Sequence, residues 1–403
     1  MDRLYIARQP IYDRNKAVMG YELLYRTNII NQANIIDADQ ASCETILNSF
    51  LNIGIENIVG SALGFINLPR EFVVNDSLTP MLRDQTVLEL HESIQADDEV
   101  VNGVKRLKSD GYLIALDDFV FRKELTPLIL LADFIKIDVR TLAKTDLEHQ
   151  VNQLRPYAVK LVAEKVETHE AFEDCHDLGF DYFQGYFFCY PVMLSRKTLP
   201  SNKLVVLNLL SKLHDPQTDA KELEEVLVQD IALSYKLLRY INSAAFALRR
   251  EIDSIKDAIL LLGLNNLKNW VSLILMSKNV DSKPIELIKT GIIRGKMCEA
   301  LAEIRHPEIK HQMFIIGLFS VLDALMDQPL VELLDNVTLS IPIKLALLDR
   351  TGIQGEIYKQ VLQYEKCLWD ELDNNNTNPM QYTQSYLNAV NWADQSINAL
   401  LNA

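Results

Sequence analysis

The sequence is poor in the residues that build soft-metal sites and disulfide frameworks. Its 403 residues include five cysteines and seven histidines. The cysteines are widely spaced and form no CxxC pair. This spacing argues against a zinc site or a disulfide framework, and it favours free thiols in a reducing compartment.

The chain also lacks an excess of positive charge and any long apolar run. Its formal net charge is -15 and its pI is near 5.0, so nonspecific attraction to nucleic acid or anionic lipid is disfavoured. No run approaches the roughly 18 apolar residues of a membrane span, and the N-terminus MDRLYIARQP is charged where a secretion signal would be apolar. We therefore predict a cytoplasmic protein whose partners include neither a nucleic acid polymer nor a membrane.

The first half of the chain alternates short apolar runs with amphipathic stretches. Helices are predicted between the runs, for example at 97–109, 145–157 and 168–178. Eight strands with helical crossovers indicate a TIM-like (β/α)8 barrel. The connection at 13–17 is too short for a crossover helix, so the first strand should pair antiparallel with the second. The predicted strands are 4–12, 18–25, 63–68, 86–92, 112–119, 134–139, 160–166 and 182–188.

After Pro191 the strand pattern stops, and apolar residues recur at helical spacing, for example over 285–304 and 313–326. This predicts an all-helical second domain. The fold class is therefore a multidomain chain, an α/β barrel followed by an all-α domain. The predicted domains are 1–195 and 196–403.

In the stretch IALDDF, a buried strand runs directly into paired aspartates, Asp117 and Asp118. Two such carboxylates need a cation or solvent to offset their repulsion. An isolated pair of this kind more often simply opens a polar loop. The other strand ends change this balance, because polar residues there converge on one rim of a barrel. Those residues are Glu22, Arg26, Asn67, Glu89, Lys136, Glu164 and Gln184.

Hard oxygen ligands without a set of His or Cys suit Mg²⁺ or Mn²⁺. Lys136 and Arg26 would complement a phosphate. The combination predicts two divalent metals acting on a phosphodiester, with a bridging water as the nucleophile. The alternative is that strands end in acids because loops are polar, which would explain any single position but not all of them together.

The motifs GYELLYR, FINLP, LELHES, IALDDF, FIKID, LVAEKVET and FQGYFF follow one another within residues 18–188. Through them the first half resembles an EAL domain, the family of cyclic di-GMP phosphodiesterases. The resemblance implies that cyclic di-GMP is bound and opened to pGpG. It implies one metal held by Glu22, Asn67, Glu89 and Asp117, and another held by Asp117, Asp118 and Glu164. It also implies that Lys136 and Gln184 position the attacking water and that Arg26 binds a ligand phosphate.

Three features depart from the family pattern. VFRKEL at 120–125 replaces a glycine- and serine-rich GTGYSS loop, Lys165 stands where the family has glycine, and the EAL triplet reads ELL at 22–24. Because glycines permit positive φ, the loop beside the metals should have a different shape. Two hypotheses remain open: the barrel binds cyclic di-GMP with weak or no turnover, or it is an active phosphodiesterase.

The second half resembles an HDOD domain over residues 199–274, most specifically in IALSYKLLRYINSAAF and DAILLLGLNNLKNWV. The resemblance implies a bacterial signalling module related in fold to HD phosphohydrolases but without their metal ligands. After residue 200 the only histidines are His214, His306 and His311, and His214 is interpreted as a helix end. We expect this domain to pass the state of the barrel to an unidentified protein partner. A homodimer is an expectation from the family.

Overall fold

The computed structural model divides the chain into two compact units, Met1–Phe188 and Cys189–Ala403. The predicted domain boundary at 195/196 lies outside the described residues. The residues that the structure describes are 4–27, 54–75, 83–91, 94–185, 187, 210–211, 213–215, 217–219, 221, 241, 260–277, 283–335, 337, 339–373 and 378–401.

The first unit is a closed barrel of eight strands in chain order. Strand β1 runs antiparallel to both β2 and β8, and every other neighbouring pair is parallel. The predicted TIM-like barrel with an antiparallel first strand is confirmed. The strands are β1 Leu4–Asp13, β2 Val18–Thr27, β3 Leu63–Asn67, β4 Thr86–His91, β5 Leu113–Asp117, β6 Phe134–Asp138, β7 Lys160–Glu164 and β8 Tyr182–Gln184.

Two of the three longer barrel helices begin where the sequence offers a capping side chain. The carboxylate of Asp97 accepts a 3.0 Å hydrogen bond from the Val100 amide, and the Thr168 hydroxyl accepts one from Ala171. Such caps satisfy amides that have no partner within the helix, so the predicted helices at 97–109 and 168–178 are confirmed to within one residue. Within the described residues of this unit, the helices are α1 Glu56–Val59, α2 Arg70–Val74, α3 Asp98–Ser109, α4 Thr126–Ile129, α5 Lys144–Leu154 and α6 His169–Leu178.

A packed apolar layer supports the polar rim of the barrel. Its buried members are Ile11, Phe65, Val87, Ala115, Phe134 and Val162. Side chains two positions apart on a strand point to the same face. Asn67, Glu89, Asp117, Lys136 and Glu164 each lie two residues beyond a member of this layer. Strand periodicity thus places these polar side chains on the face of the packed layer.

The second unit is helical throughout its described residues. Gly317 lies where helices α8 and α9 meet, and a Cβ there would be 2.2 Å from the Gly295 nitrogen, so glycine allows the close approach. The helices whose bounds lie in the described part of this unit are α7 Leu264–Ser277, α8 Ile285–Arg305, α9 Lys310–Phe319, α10 Leu322–Met326, α11 Leu330–Asp335, α12 Ile341–Leu348, α13 Gly352–Glu365, α14 Trp369–Asp373 and α15 Pro379–Leu401.

One helix prediction in this unit is wrong. The pattern over 313–326 predicts a single helix, but the structure divides it into α9 and α10 at Ser320–Val321. The Ser320 hydroxyl donates a 2.6 Å hydrogen bond to the Gly317 carbonyl, and a serine that binds the preceding turn competes with the helical ladder. Among the described helices, none is both long and apolar enough to cross a membrane.

Candidate functional site

The centre of the barrel rim is the fully buried side chain of Lys136. Its Nζ lies 2.7 Å from Glu89 Oε1, 2.8 Å from Glu164 Oε1, and 3.1 Å from both Glu22 Oε2 and Asp117 Oδ1. We call these four acids the carboxylate cluster. Strands β2, β4, β5 and β7 each contribute one of its members, and β6 contributes the lysine.

One ammonium faces four carboxylates, so negative charge is in excess in a buried place. Burial raises the pKa of Glu89 well above its usual range, and burial raises the pKa of Glu164 to about 8 although Lys136 opposes both shifts. Burial would also raise the pKa of Asp117, but the Lys136 ammonium together with hydrogen bonds to the Asp118 amide and to Glu164 lowers it. Burial disfavours the charged form of Lys136, yet the four acids raise its pKa well above the usual value. The cluster is a site that attracts further positive charge, as protons or as a cation.

Gln184 ties the end of β8 to this cluster. Its Nε2 donates to Glu22 Oε2 at 2.5 Å and to Gln9 Oε1 at 2.9 Å. The next residue, Gly185, has φ +152°, and a Cβ there would lie 2.0 Å from the Val166 carbonyl oxygen. A glycine at this position therefore lets β8 approach the end of β7 closely enough to bring Gln184 into the site.

The donor atoms of the cluster suit a hard divalent cation. All are carboxylate oxygens, the ligands that Mg²⁺ and Mn²⁺ prefer. Glu89 Oε2 is buried and accepts no hydrogen bond from the part of the chain that the structure describes. In that same part, no three His, Cys, Asp or Glu side chains are arranged around a ready-made metal position. The carboxylates converge on Lys136 instead. Their oxygens are suitable ligands for a divalent cation, and the lysine holds them together.

Four of the six predicted metal ligands lie around Lys136, and a fifth, Asp118, pairs with Lys165. Asp118 follows Asp117 but is partly exposed, and its Oδ1 lies 3.1 Å from Lys165 Nζ. Asn67 ends β3 in register with Glu89 and is half-buried. Arg26 continues β2, and the structure describes only its backbone.

Asp138 is a site residue that sequence analysis missed. It lies two residues beyond Lys136 on the same face of β6 and is buried. Its Oδ2 lies 2.7 Å from Lys165 Nζ, and its Oδ1 accepts a hydrogen bond from the Arg140 amide. Burial would raise the pKa of Asp138, but these hydrogen bonds lower it. The signal was present in FIKID, where strand alternation places Lys136 and Asp138 on one face.

The altered loop at 120–125 is attached to the outer helix α5. The Phe119 amide donates to the Lys136 carbonyl at 2.9 Å, which fixes the start of the loop beside β6. The Phe121 amide then donates to Gln150 Oε1 at 3.0 Å, and a 3-10 turn follows at Lys123–Leu125. The loop is therefore ordered by contacts of its own backbone without the glycines of the family pattern.

The three histidines of the helical unit each contact different residues. His214 Nε2 is 2.7 Å from the Ser272 hydroxyl, and its ring packs edge-on against Phe319. His306 lies near Glu308, and His311 lies near Glu299. Among the described residues these histidines form no metal cluster.

Comparisons with known proteins agree with both sequence resemblances. The EAL domain family model matches residues 50–191, and the HDOD domain model matches residues 199–326. The chain is 32% identical over 376 residues to the cyclic di-GMP phosphodiesterase CdgJ of Vibrio cholerae, covering 92% of this chain and 86% of that protein. It is 33% identical over 415 residues to YuxH of Bacillus subtilis, covering 98% of this chain and 100% of YuxH.

Among solved structures, a calcium and cyclic di-GMP complex of Klebsiella pneumoniae BlrP1 matches with a TM-score of 0.40 and 23% identity, over 46% of this chain and 54% of that one. A likeness of this size adds nothing to the assignment, which depends on the family matches and the two relatives. Both of those relatives extend over nearly the whole chain. The chain therefore belongs to the family of proteins that join an EAL domain to an HDOD domain.

Proposed function

We propose that this protein acts in cyclic di-GMP signalling and that its barrel binds cyclic di-GMP at the carboxylate cluster, together with Mg²⁺ or Mn²⁺. The observation that carries the proposal is the excess of four buried carboxylates over the one ammonium of Lys136. Buried negative charge needs a compensating cation. Divalent cations held there would in turn attract the anionic phosphodiester.

The ligand roles follow the two sets implied by the family resemblance. Glu22, Asn67, Glu89 and Asp117 would hold one cation, and Asp117, Asp118 and Glu164 would hold the other. Bound divalent cations supply Lewis acidity and an activated water. Lys136 keeps the carboxylates oriented through its four ion pairs and, with Gln184, would position that water. Arg26 would bind a ligand phosphate.

Turnover in this proposal is weak or absent. Two observations support this: the loop at 120–125 is held by α5 through Gln150, and Asp118 is paired with Lys165. A displacement of catalytic groups by about 1 Å can cost on the order of a hundredfold in rate. The second candidate is an active phosphodiesterase that yields pGpG. It is favoured by the complete set of acids and by the 32% identity to CdgJ.

The helical unit is proposed to transmit the state of the barrel to a protein partner. Its described histidines are engaged separately, with His214 bonded to Ser272, so they support no HD-type metal site. A role in interaction therefore fits this unit better than a second hydrolytic reaction.

The proposal is tested by titrating cyclic di-GMP into the purified full chain with Mg²⁺ or Mn²⁺, using calorimetry, while chromatography follows pGpG. We expect micromolar binding, little pGpG, and a loss of affinity of about a hundredfold in Asp117→Asn, which removes a shared ligand charge at constant shape. Asp174→Asn is the matched control, because Asp174 pairs with Lys144 at the exposed surface.

Each outcome separates the candidates. Rapid formation of pGpG that Asp117→Asn abolishes would establish the second candidate and exclude a barrel that only binds. Absence of both binding and turnover would refute the proposal for this unit altogether.

A further inference from the structure

Lys165 has a backbone conformation that its residue type rarely adopts. Its φ is +57°, in the left-handed region where glycine is unstrained, and Asp118 opposite it has φ +45°. Lysine is not among the side chains that tolerate this region well, whereas aspartate is. Such a strained conformation persists only where surrounding contacts hold the residue in place, and the side chain of Lys165 makes contacts of this kind.

The Lys165 ammonium joins two carboxylates at the rim of the site. Its Nζ lies 2.7 Å from Asp138 Oδ2 and 3.1 Å from Asp118 Oδ1. The two aspartates come from different strands, since Asp118 follows β5 and Asp138 ends β6. Lys165 itself follows Glu164 of the carboxylate cluster. A single positive charge is thus built in beside the predicted second metal ligands.

We infer that Lys165 is an internal counter-ion that competes with a divalent cation for the Asp118 carboxylate, so that the barrel binds one cation tightly and a second one weakly. The inference rests on the proposed function and concerns the metal occupancy of the same site. The ammonium must be displaced from Asp118 or share it with a doubly charged ion, and like charges a few ångströms apart repel even in water. Glu22, Glu89 and Asp117 are bound to Lys136 and do not contact Lys165 in this way.

The contact geometry also specifies which property of Lys165 matters. Charge at this position holds Asp118, whereas the length of the side chain determines only how far it reaches. Lys165→Met keeps the length and removes the charge. Lys165→Arg keeps the charge, and Lys165→Gly also removes the constraint of a Cβ at positive φ.

The test counts bound Mn²⁺ by electron paramagnetic resonance of the free ion, using the full chain without nucleotide. We expect the wild type and Lys165→Arg to bind one Mn²⁺ tightly and a second weakly. Lys165→Met and Lys165→Gly should bind the second ion about tenfold more tightly, the effect of removing one nearby like charge. Lys144→Met is the control, because Lys144 forms an equally close but exposed pair with Asp174.

Identical isotherms for the wild type and Lys165→Met, with a tight first ion in both, would overturn this inference and leave the proposed function standing. Absence of Mn²⁺ binding in every variant would overturn both. If Lys165→Met binds the second ion more tightly but Lys144→Met does so equally, the effect is one of overall charge and the inference also fails.

Discussion

Both units bury charged side chains, but in different proportions. In the barrel, Lys136 faces the four acids of the carboxylate cluster. In the helical unit, the buried Arg294 forms a two-pronged pair with Glu365, in which Nε and Nη2 each lie 2.6 Å from a carboxylate oxygen. A pair of one positive and one negative charge needs no further counter-ion. A cluster with an excess of negative charge needs another cation. The comparison indicates that the arginine pair serves the structure, and it supports the proposed role of the carboxylate cluster in cation binding.

The largest expected effect comes from breaking the balanced pair. Glu365→Gln removes the carboxylate that binds the buried Arg294 guanidinium at two of its nitrogens, so the free energy of unfolding of the helical unit should fall by about 3 kcal/mol. Tryptophan fluorescence in a urea titration measures this unit alone, because Trp270, Trp369 and Trp392 are the three tryptophans of the chain. The exposed Glu303→Gln, which breaks a pair with Lys310, is the control and should cause no measurable change. Equal stability of Glu365→Gln and wild type would contradict the structural role.

A smaller effect is expected from charging His214, which the same unit holds neutral. Burial, with a contribution from Lys268, lowers the pKa of His214 to about 3. Between that value and the usual 6.5 the unfolded chain binds the proton and the folded chain does not, so stability falls as pH falls through this window. From pH 7.5 to 5.5 the loss attributable to His214 should be about 1.4 kcal/mol. His214→Gln should remove that part of the loss, and parallel pH profiles for the two proteins in urea titrations would refute it.

The smallest effect on stability is expected in the carboxylate cluster, where negative charge is in excess. Glu89→Gln makes the same chemical change as Glu365→Gln, but it removes one of four like charges around Lys136. Calorimetric unfolding of the metal-free full chain should show a barrel that is unchanged or slightly more stable, while Mn²⁺ binding weakens at least tenfold. If Glu89→Gln destabilised the barrel as strongly as Glu365→Gln destabilises the helices, the contrast between the two units would disappear.

Most of the barrel was predictable because local patterns determine it. Short apolar runs located the eight strands, and the amphipathic stretches between them located helices such as 97–109 and 168–178. The convergence of Glu22, Glu89, Asp117 and Glu164 followed from barrel geometry, since strand ends meet at one rim. The side chains around Lys136 were thus predicted as a group, although their convergence on that lysine was not.

What the sequence did not predict depends on contacts between distant residues. The left-handed backbone at Lys165 and its reach to Asp118, 47 residues away, has no local signature beyond the missing glycine. His214 ends a helix as predicted, but its pairing with Ser272, which spans 58 residues, has no local signature. Ser320 interrupted a helix that periodicity alone predicted to be continuous, because the competing hydrogen bond to Gly317 leaves no trace in hydrophobic spacing.

The reversed first strand also has a consequence for the order in which the chain folds. Strand β1 pairs with β2 across a short turn, but its other neighbour is β8, and Gln9 meets Gln184 across 175 residues. Contacts so distant in sequence form late, because the entropy of closing the intervening chain must be lost first. During synthesis, β1 and β2 can form a hairpin early, yet the barrel cannot close until β8 has left the ribosome. Glu22 therefore meets Gln184 only at the last step of barrel assembly, and a nascent chain shorter than this has no complete site.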